Sequence, residues 1–187
     1  DLGMVQITNN GHAIHSPDDM QGLTIRSPEE PTSISTFEQL GASVTTMAFT
    51  EVYMGLQQGV IDGQFNPMDA IYENNMHEVQ DYMTLANIFY YHVNFIMNKD
   101  LYDGLDSELQ AIVDEAAAAA QQASRDYTQQ MDEEMLETLD EHFEEIVTDP
   151  DIEAFRDKID YSEFFDIVPE EFYNKTQEFI DNYRENN

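Results

Sequence analysis

Arg26 is the residue of this chain whose type and position most clearly suggest chemistry. It is the only lysine or arginine between Asp1 and Asn98, and it ends the short apolar run Gly22-Leu23-Thr24-Ile25-Arg26. A guanidinium presents five donors in a planar fork that matches a carboxylate. This arginine therefore predicts an anion-binding site, and the alternative is a structural ion pair with a nearby acid such as Asp19 or Glu51.

Three further candidate residues follow predicted strands. Gln64 and Asn66 come after a strand predicted over 60–63, and Phe49 comes after one predicted over 43–47. Ligands of parallel α/β sheets bind beyond the carboxyl ends of the strands, so Arg26, Gln64 and Asn66 are candidates for one site. Asn66 before Pro67 is also a natural helix N-cap, and such a junction points helix N–H groups at an anion. Phe49 is also compatible with a place in the core.

Patterns typical of enzymes and metal sites are missing from the sequence. The chain has no cysteine, which excludes disulfides and thiolate sites. Its five histidines lack the paired spacing of a metal site, and neither a Gly-x-Ser-x-Gly elbow nor a glycine-rich phosphate loop occurs. Carboxylates are too abundant for any pair to indicate acid–base catalysis. We therefore expect a binding protein that needs no metal and no cofactor, and not an enzyme.

The charge of the chain predicts the medium in which it works. Asp and Glu number 39 against 7 Lys and Arg, which gives a formal net charge of -32 and a pI near 4.1. Such a charge repels itself, and concentrated salt screens the repulsion because the Debye length falls to about 3 Å at 1 M. We expect a high-salt environment and no nucleic-acid partner. No apolar run approaches the roughly 20 residues that span a bilayer.

The first half of the chain alternates strand and helix signals. Strands are predicted over 4–8, 23–26, 43–47 and 60–63, and helices over 50–58 and 67–80. Ile34, Phe37 and Leu40 have helical spacing and precede Gly41, a predicted C-terminal cap. Strands and helices that alternate at this spacing indicate a parallel α/β unit.

The second half is dominated by one predicted long helix. Apolar residues keep a helical stripe from Ser107 to Phe143, about 37 residues or about 55 Å at 1.5 Å per residue. Such a helix is either a strut shared by two lobes or part of a coiled coil. A strand over 145–148 and helices that start near 149 and 168 follow.

Three segments together resemble a known family. They are 19–28 (DMQGLTIRSP), 40–43 (LGAS) and 47–67 (MAFTEVYMGLQQGVIDGQFNP). In this order they are similar to the DctP-type substrate-binding protein of tripartite ATP-independent periplasmic (TRAP) transporters. The resemblance implies two α/β lobes, joined by strands and a long helix, that close over a small organic acid. It also implies an extracytoplasmic location, periplasmic or at the cell surface, and a membrane permease as partner.

The resemblance also implies roles for individual residues. Arg26 matches the arginine that forms a bidentate salt bridge with the solute carboxylate, Asn66 the asparagine that holds the same end, and Phe49 the phenylalanine that packs on the solute. Many relatives carry a second arginine upstream, where this chain has Val5, or Gln6 if no gap is allowed. A strongly dianionic solute is therefore less expected.

The resemblance gives an expected domain organisation. Residues 1–98 correspond mainly to the second α/β lobe with the carboxylate-clamping segments, and residues 99–187 to the long inter-lobe helix and C-terminal helices that pack on both lobes. Most of the first lobe has no counterpart in the chain, which predicts a two-lobe periplasmic-binding-protein-like fold in partial form. The rival hypothesis is a salt-adapted acidic interaction protein whose long helix forms a coiled coil.

Overall fold

A mixed β-sheet organises the chain. The computed structural model describes residues 2–186, apart from the side chains at positions 133 and 185. The strands are β1 (Gly3–Asn9), β2 (Thr24–Ser27), β3 (Ser43–Thr46), β4 (Gly63–Pro67), β5 (Tyr82–Thr84), β6 (Tyr90–Tyr91) and β7 (Glu145–Val147). Their order across the sheet is β3-β2-β4-β1-β5-β7, with β6 paired to β1.

The sheet combines a parallel part with antiparallel neighbours. β2 pairs in parallel with β3 and with β4, as the alternating strand and helix signals predict. β1 is the central strand and runs antiparallel to β4, β5 and β6. The predicted α/β class is thus confirmed, and the parallel unit is one half of a mixed sheet.

Helices cover the two faces of this sheet. They are α1 (Pro31–Leu40), α2 (Val52–Gln57), α3 (Met68–Glu73), α4 (Lys99–Asp103), α5 (Ser107–Asp140), α6 (Ile152–Asp157) and α7 (Glu170–Asn186). Short 3-10 helices occupy Pro17–Met20, Phe49–Glu51, Met76–Val79 and Tyr161–Phe164. Gly41 ends α1 at φ 103°. Glycine adopts this left-handed conformation without steric cost, so the predicted cap is confirmed.

Two apolar clusters hold the helices to the sheet. The first lies around Phe37 of α1, whose ring stacks on Phe65 of β4 with 4.5 Å between centroids, and it includes Phe155 of α6. The second contains buried residues of α2 and α3 together with Leu139 at the end of α5. Phe37, Phe65 and Leu139 are each at most 1% exposed. Alternate residues of the strands thus face two separate cores.

The long helix is present and slightly shorter than predicted. α5 has 34 residues and ends at Asp140, whereas the sequence pattern continues to Phe143. Phe143 is buried in the second cluster after the helix has ended, so its apolar signal comes from packing and not from helical continuity. α5 packs on α3 and β1 of its own chain. None of the helices in the described residues combines the length and apolar composition that a bilayer crossing requires.

Two predicted elements differ in the structure. The strand expected over 60–63 lies instead at Gly63–Pro67, because the chain after α2 stays in a turn in which Val60 N–H donates to Gly55 O at 2.9 Å. β4 then extends to Pro67 because it pairs with β1 along its whole length. The helix expected over 67–80 stops at Glu73, where Asn75 at φ 54° interrupts it.

The C-terminal elements follow the sequence prediction more closely. β7 (Glu145–Val147) pairs in parallel with β5 within the strand predicted over 145–148. α6 begins after Asp151, whose side chain accepts a hydrogen bond from Ala154 N–H at 3.0 Å. α7 covers the helix expected after position 168.

Candidate functional site

Arg26 lies near the carboxyl end of β2 and is buried. Its side chain is 5% exposed. The guanidinium Nε and Nη2 donate hydrogen bonds to the carbonyl oxygen of Met47, at 2.9 and 2.8 Å. Met47 N–H donates to Ser27 O at 3.1 Å, which fixes this carbonyl beside β2. The fork of the arginine is therefore held in one orientation by the backbone of the neighbouring segment.

No carboxylate neutralises this guanidinium within residues 2–186. The ion pairs found there involve His15, Lys99, Lys158 and Lys175, and neither Asp19 nor Glu51 pairs with Arg26. Burial lowers the pKa of Arg26, and the phenol of Tyr91 acts in the opposite direction. An arginine nevertheless stays charged. The site therefore presents a desolvated cation that an anionic ligand can compensate.

Phe49 places an aromatic ring beside this cation. The guanidinium carbon of Arg26 lies 5.9 Å from the centroid of the Phe49 ring, within the range of a cation–π contact. Phe49 begins the 3-10 helix Phe49–Glu51 and is 40% exposed. The interpretation of Phe49 as a core residue is therefore wrong. Its ring is available to a ligand that approaches the arginine.

Arg26 and Phe49 line the same surface hollow. It has a volume of about 500 Å³, and Glu29 and Glu51 contribute to its rim. A pocket of this size is in the range of small-molecule sites. Carboxylates at the rim and one cation below them favour a ligand that carries one anionic end together with groups able to donate hydrogen bonds to the rim.

Asn66 and Gln64 lie on the same face of the sheet as Arg26, outside the lining of this hollow. Ile25 pairs with Gly63, which sets Arg26 beside Gln64, and Asn66 is two residues further along β4. Asn66 Nδ2 donates to Gln64 Oε1. The predicted helix N-cap at Asn66 is wrong, because β4 runs on to Pro67 and the Asn66 side chain bonds within the strand.

Gln64 belongs to a buried chain of polar side chains. Gln64 is 0% exposed, and its Nε2 donates to Thr8 Oγ1 at 2.9 Å. Thr8 Oγ1 in turn donates to Gln80 Oε1 at 2.9 Å. Asn66, 8% exposed, is the most exposed side chain of this hydrogen-bonded row. The amide of Gln64 thus fixes the orientation of Asn66.

Two further residues lie near the site, and one of them, Tyr91, carries no clear signal in the sequence. Tyr91 is electrostatically coupled to Arg26, and burial and the Glu30 carboxylate raise the pKa of its phenol while Arg26 lowers it. Gln6 is the register partner of Asn66 across β1 and β4 and is 3% exposed. Val5 is fully buried in the first apolar cluster. The resemblance already indicated the position of Gln6, whereas only the pairing of β1 with β6 could have brought Tyr91 into consideration.

Histidines and acids do not form a second chemical centre in the described part of the chain. No group of three or more of them is placed to hold a metal ion there. His77 is 7% exposed, and its ring lies against Tyr72 and His142 with centroid separations of 5.1 and 4.5 Å. This cluster lies among the helices of the second apolar cluster, apart from Arg26.

Comparison with known proteins shows the family. The family model described as "Bacterial extracellular solute-binding protein, family 7" (DctP) matches residues 1–165. The 2,3-diketo-L-gulonate-binding periplasmic protein YiaO of Escherichia coli (strain K12) is 31% identical over 157 residues, which are 84% of this chain and 48% of that protein. The ectoine-binding periplasmic protein TeaA of Halomonas elongata is 31% identical over 179 residues, 91% of this chain and 51% of that protein.

Solved structures share the fold described above. A TRAP periplasmic solute-binding protein from Polaromonas sp., bound to D-erythronate, superposes with a TM-score of 0.83 at 26% identity and covers 94% of this chain and 58% of that chain. One from Ochrobactrum anthropi has a TM-score of 0.90 at 26% identity, with 100% and 60% covered. The predicted fold is therefore confirmed as part of this two-lobe type.

The matches define what the chain shares with these proteins. It spans about half the length of the curated relatives YiaO and TeaA. The matched range includes β1 to α6 and with them all four predicted site residues. The family is one of solute-binding receptors and not of enzymes. Since its model covers residues 1–165 of 187, this chain belongs to the bacterial extracellular solute-binding proteins of family 7.

Proposed function

We propose that the chain provides the carboxylate-recognising part of an extracytoplasmic receptor that binds a small organic acid and delivers it to the membrane permease of a TRAP transporter. The observation that carries this proposal is the Arg26 guanidinium, 5% exposed, without a carboxylate partner in residues 2–186, and open to a hollow of about 500 Å³. No covalent step is needed, and recognition and release of the acid suffice.

Each proposed site residue has a separate task. The free edge of the Arg26 guanidinium donates hydrogen bonds to the solute carboxylate, while Met47 O holds the guanidinium in place. The Phe49 ring covers the apolar part of the solute and shields the ion pair from water. Asn66 donates an amide hydrogen bond to the same carboxylate end, and Gln64 acts through its hydrogen bond with Asn66.

The solute class follows from the number of cations. Arg26 is the one cationic side chain that lines the hollow among the described residues, and Glu29 and Glu51 stand at the rim. A second carboxylate on the solute would meet these acids. A monocarboxylate with hydroxyl or amine groups fits this distribution better than a strongly dianionic acid. In related proteins, D-erythronate and ectoine are ligands named for such receptors.

The remaining parts of the proposal concern the molecule around the site. We propose that residues 1–98 are mainly the second lobe, and that α5 and the C-terminal helices in residues 99–187 pack on both lobes, so that lobe closure traps the acid. The acidic surface suits an extracytoplasmic medium of high salt. The comparisons support the receptor and not the coiled-coil alternative.

The test is calorimetric titration with monocarboxylates and dicarboxylates of the complete gene product in concentrated KCl. Arg26→Ala should lower affinity by at least about tenfold, because a charge-assisted contact contributes about 1.5–3 kcal/mol and 1.4 kcal/mol is about tenfold. Arg26→Lys should recover little of it, because an ammonium lacks the planar fork. Arg184→Ala, an exposed arginine of α7, is the matched control. Unchanged affinity in Arg26→Ala would refute the proposal.

A further inference from the structure

A second cavity lies on the other side of the sheet, beneath the C-terminal helix. It has a volume of about 600 Å³, larger than the hollow at Arg26. It opens between α1, the segment before β6, α6 and α7, in the region of the first apolar cluster. Ile180 of α7 forms part of its cover and lies beyond the residues that the family model matches.

The walls of this cavity are mainly apolar, with Thr32 and Asn87 among its polar lining residues. Three buried residues of the first apolar cluster line the cavity: Leu40 of α1, Ala86 between β5 and β6, and Phe155 of α6. Phe164 and Ile180 complete the apolar lining from the C-terminal side. The cavity is open at its mouth, so the apolar atoms that line it contact water, and their removal from water is favourable. An apolar ligand segment would cover those atoms.

Two polar features give the cavity a direction. Thr36 of α1 is 7% exposed and lines the cavity. Arg156 of α6 lies at the mouth and is the single charged residue among the described residues that line the cavity. No ion pair of Arg156 is found in residues 2–186. Its guanidinium is therefore available to an anionic group that enters the cavity.

The aromatic residues near the mouth are consistent with this placement of charge. Burial raises the pKa of Tyr161, Tyr173 adds to the rise, and Arg156 opposes it. The Tyr161 ring stacks on Tyr173 with 5.6 Å between centroids. Arg156 and Tyr161 both line the cavity, and Tyr173 supports the Tyr161 ring from outside it.

We propose that this cavity is a second ligand site, distinct from the hollow at Arg26, for an amphipathic monocarboxylate. The apolar tail of the ligand fills the space between Leu40, Phe155 and Ile180, and its carboxylate pairs with Arg156. Cavities of about 300–1,000 Å³ with apolar walls and few polar groups are typical ligand sites.

Octanoate is the probe for this site, titrated by calorimetry into the complete gene product in concentrated KCl. We expect saturable binding that persists in Arg26→Ala, so failure of the first site and failure of this one are separable. Arg156→Gln should weaken octanoate binding by about tenfold, the equivalent of about 1.4 kcal/mol. Arg184→Gln is the matched control and should leave it unchanged. Octanol, with the same tail and no charge, should bind more weakly than octanoate.

A cavity-filling variant gives an independent readout. Ala86→Leu places additional carbon atoms in the space and should reduce octanoate binding, and thermal unfolding of the same variant measures the strain that the larger side chain causes in the core. If this variant fails to fold, Arg156→Gln decides alone, because Arg156 is exposed and its replacement leaves the core intact. Absence of octanoate binding in the unmodified protein, or equal binding in Arg156→Gln, would overturn the proposal.

Discussion

The contact between Arg26 and Phe49 sets the chemistry of the site at the scale of single residues. The arginine fork is bonded on one side to Met47 O and faces the Phe49 ring at 5.9 Å. The Arg26 guanidinium is buried and the Phe49 ring is partly buried, so both are partly withdrawn from water. Under the proposed function, each of them strengthens the binding of an acid by the other. The pair is a unit, and loss of the ring should be visible in binding and not in folding.

We therefore expect Phe49→Leu to weaken acid binding by several fold, since a partly desolvated cation–π contact contributes about 0.5–2 kcal/mol. Phe49→Tyr keeps the ring and should retain most of the affinity. Phe49 is 40% exposed, so both variants should unfold at nearly the temperature of the unmodified protein. Calorimetry gives the affinities, and equal affinity of the leucine and tyrosine variants would contradict the role of the ring.

Gln64 and Asn66 separate structural support from ligand contact. Gln64→Leu should lower the free energy of unfolding by about 1–3 kcal/mol, because Thr8 and Asn66 would lose buried hydrogen-bond partners. Asn66→Ala should weaken acid binding more than it lowers the free energy of unfolding, because Asn66 lies at the end of the row of hydrogen-bonded side chains. Denaturant titration and calorimetry on both variants measure the two effects. If Gln64→Leu weakened binding more and Asn66→Ala lowered stability more, Gln64 would be the ligand contact and Asn66 the structural support.

At the scale of helices and strands, some parts of the site could be predicted from sequence and others could not. The run that ends in Arg26 reads as a strand, and the glycine after α1 reads as a cap, because both signals are local. β4 could not be placed correctly, since its position depends on pairing with β1, more than 50 residues earlier in the chain. Gln64 therefore lies inside a strand and is buried, although its sequence position suggested a strand end.

The junction of α3 with the end of α5 contains a pH-dependent element. His77 is 7% exposed, its Nδ1 has no hydrogen-bond partner in the described residues, and its ring meets His142 edge-on. Burial, followed by the charge of His142, lowers the pKa of His77, while the Ile71 carbonyl and Glu78 oppose this. The folded state thus favours the neutral imidazole more than the unfolded state does.

The sign of the effect follows from this difference in pKa. The stabilisation is fully present above the unfolded pKa of about 6.5 and is lost as pH falls through 6.5 towards the lower folded pKa. The free energy of unfolding should decrease by up to about 1.4 kcal/mol per pH unit in that window. His77→Phe should remove this slope, and the exposed His92→Gln should keep it. Denaturant titrations between pH 7 and 5 measure it, and an unchanged slope in His77→Phe would contradict the assignment.

At the scale of the whole molecule, charge repulsion is the dominant electrostatic term. The net charge is -32 over 187 residues, and the three lysine–carboxylate ion pairs found in residues 2–186 are on the surface and contribute little each. The fold is therefore held by the two apolar clusters against the repulsion of its own surface. This balance depends on the ionic strength of the medium.

We expect the unfolding temperature to rise steeply between 0.1 and about 1 M KCl, where the Debye length falls from about 10 to about 3 Å. Sucrose at matched osmolality excludes volume without screening charge and serves as the control. Differential scanning calorimetry measures both series. An equal rise in sucrose and KCl would show that screening is not the cause, and a fall in KCl would contradict the proposed high-salt habitat.

The backbone anchor of Arg26 has a consequence for how such receptors diversify. The guanidinium is held by a main-chain oxygen, which every residue at position 47 supplies, whereas the acids at the rim are side chains on separate turns. Replacement of rim residues can therefore change which acid is preferred while the anchoring geometry is inherited intact. Under the proposed function, related receptors can therefore change the acid that they prefer through few mutations at the rim, while the arginine that binds the carboxylate stays in place.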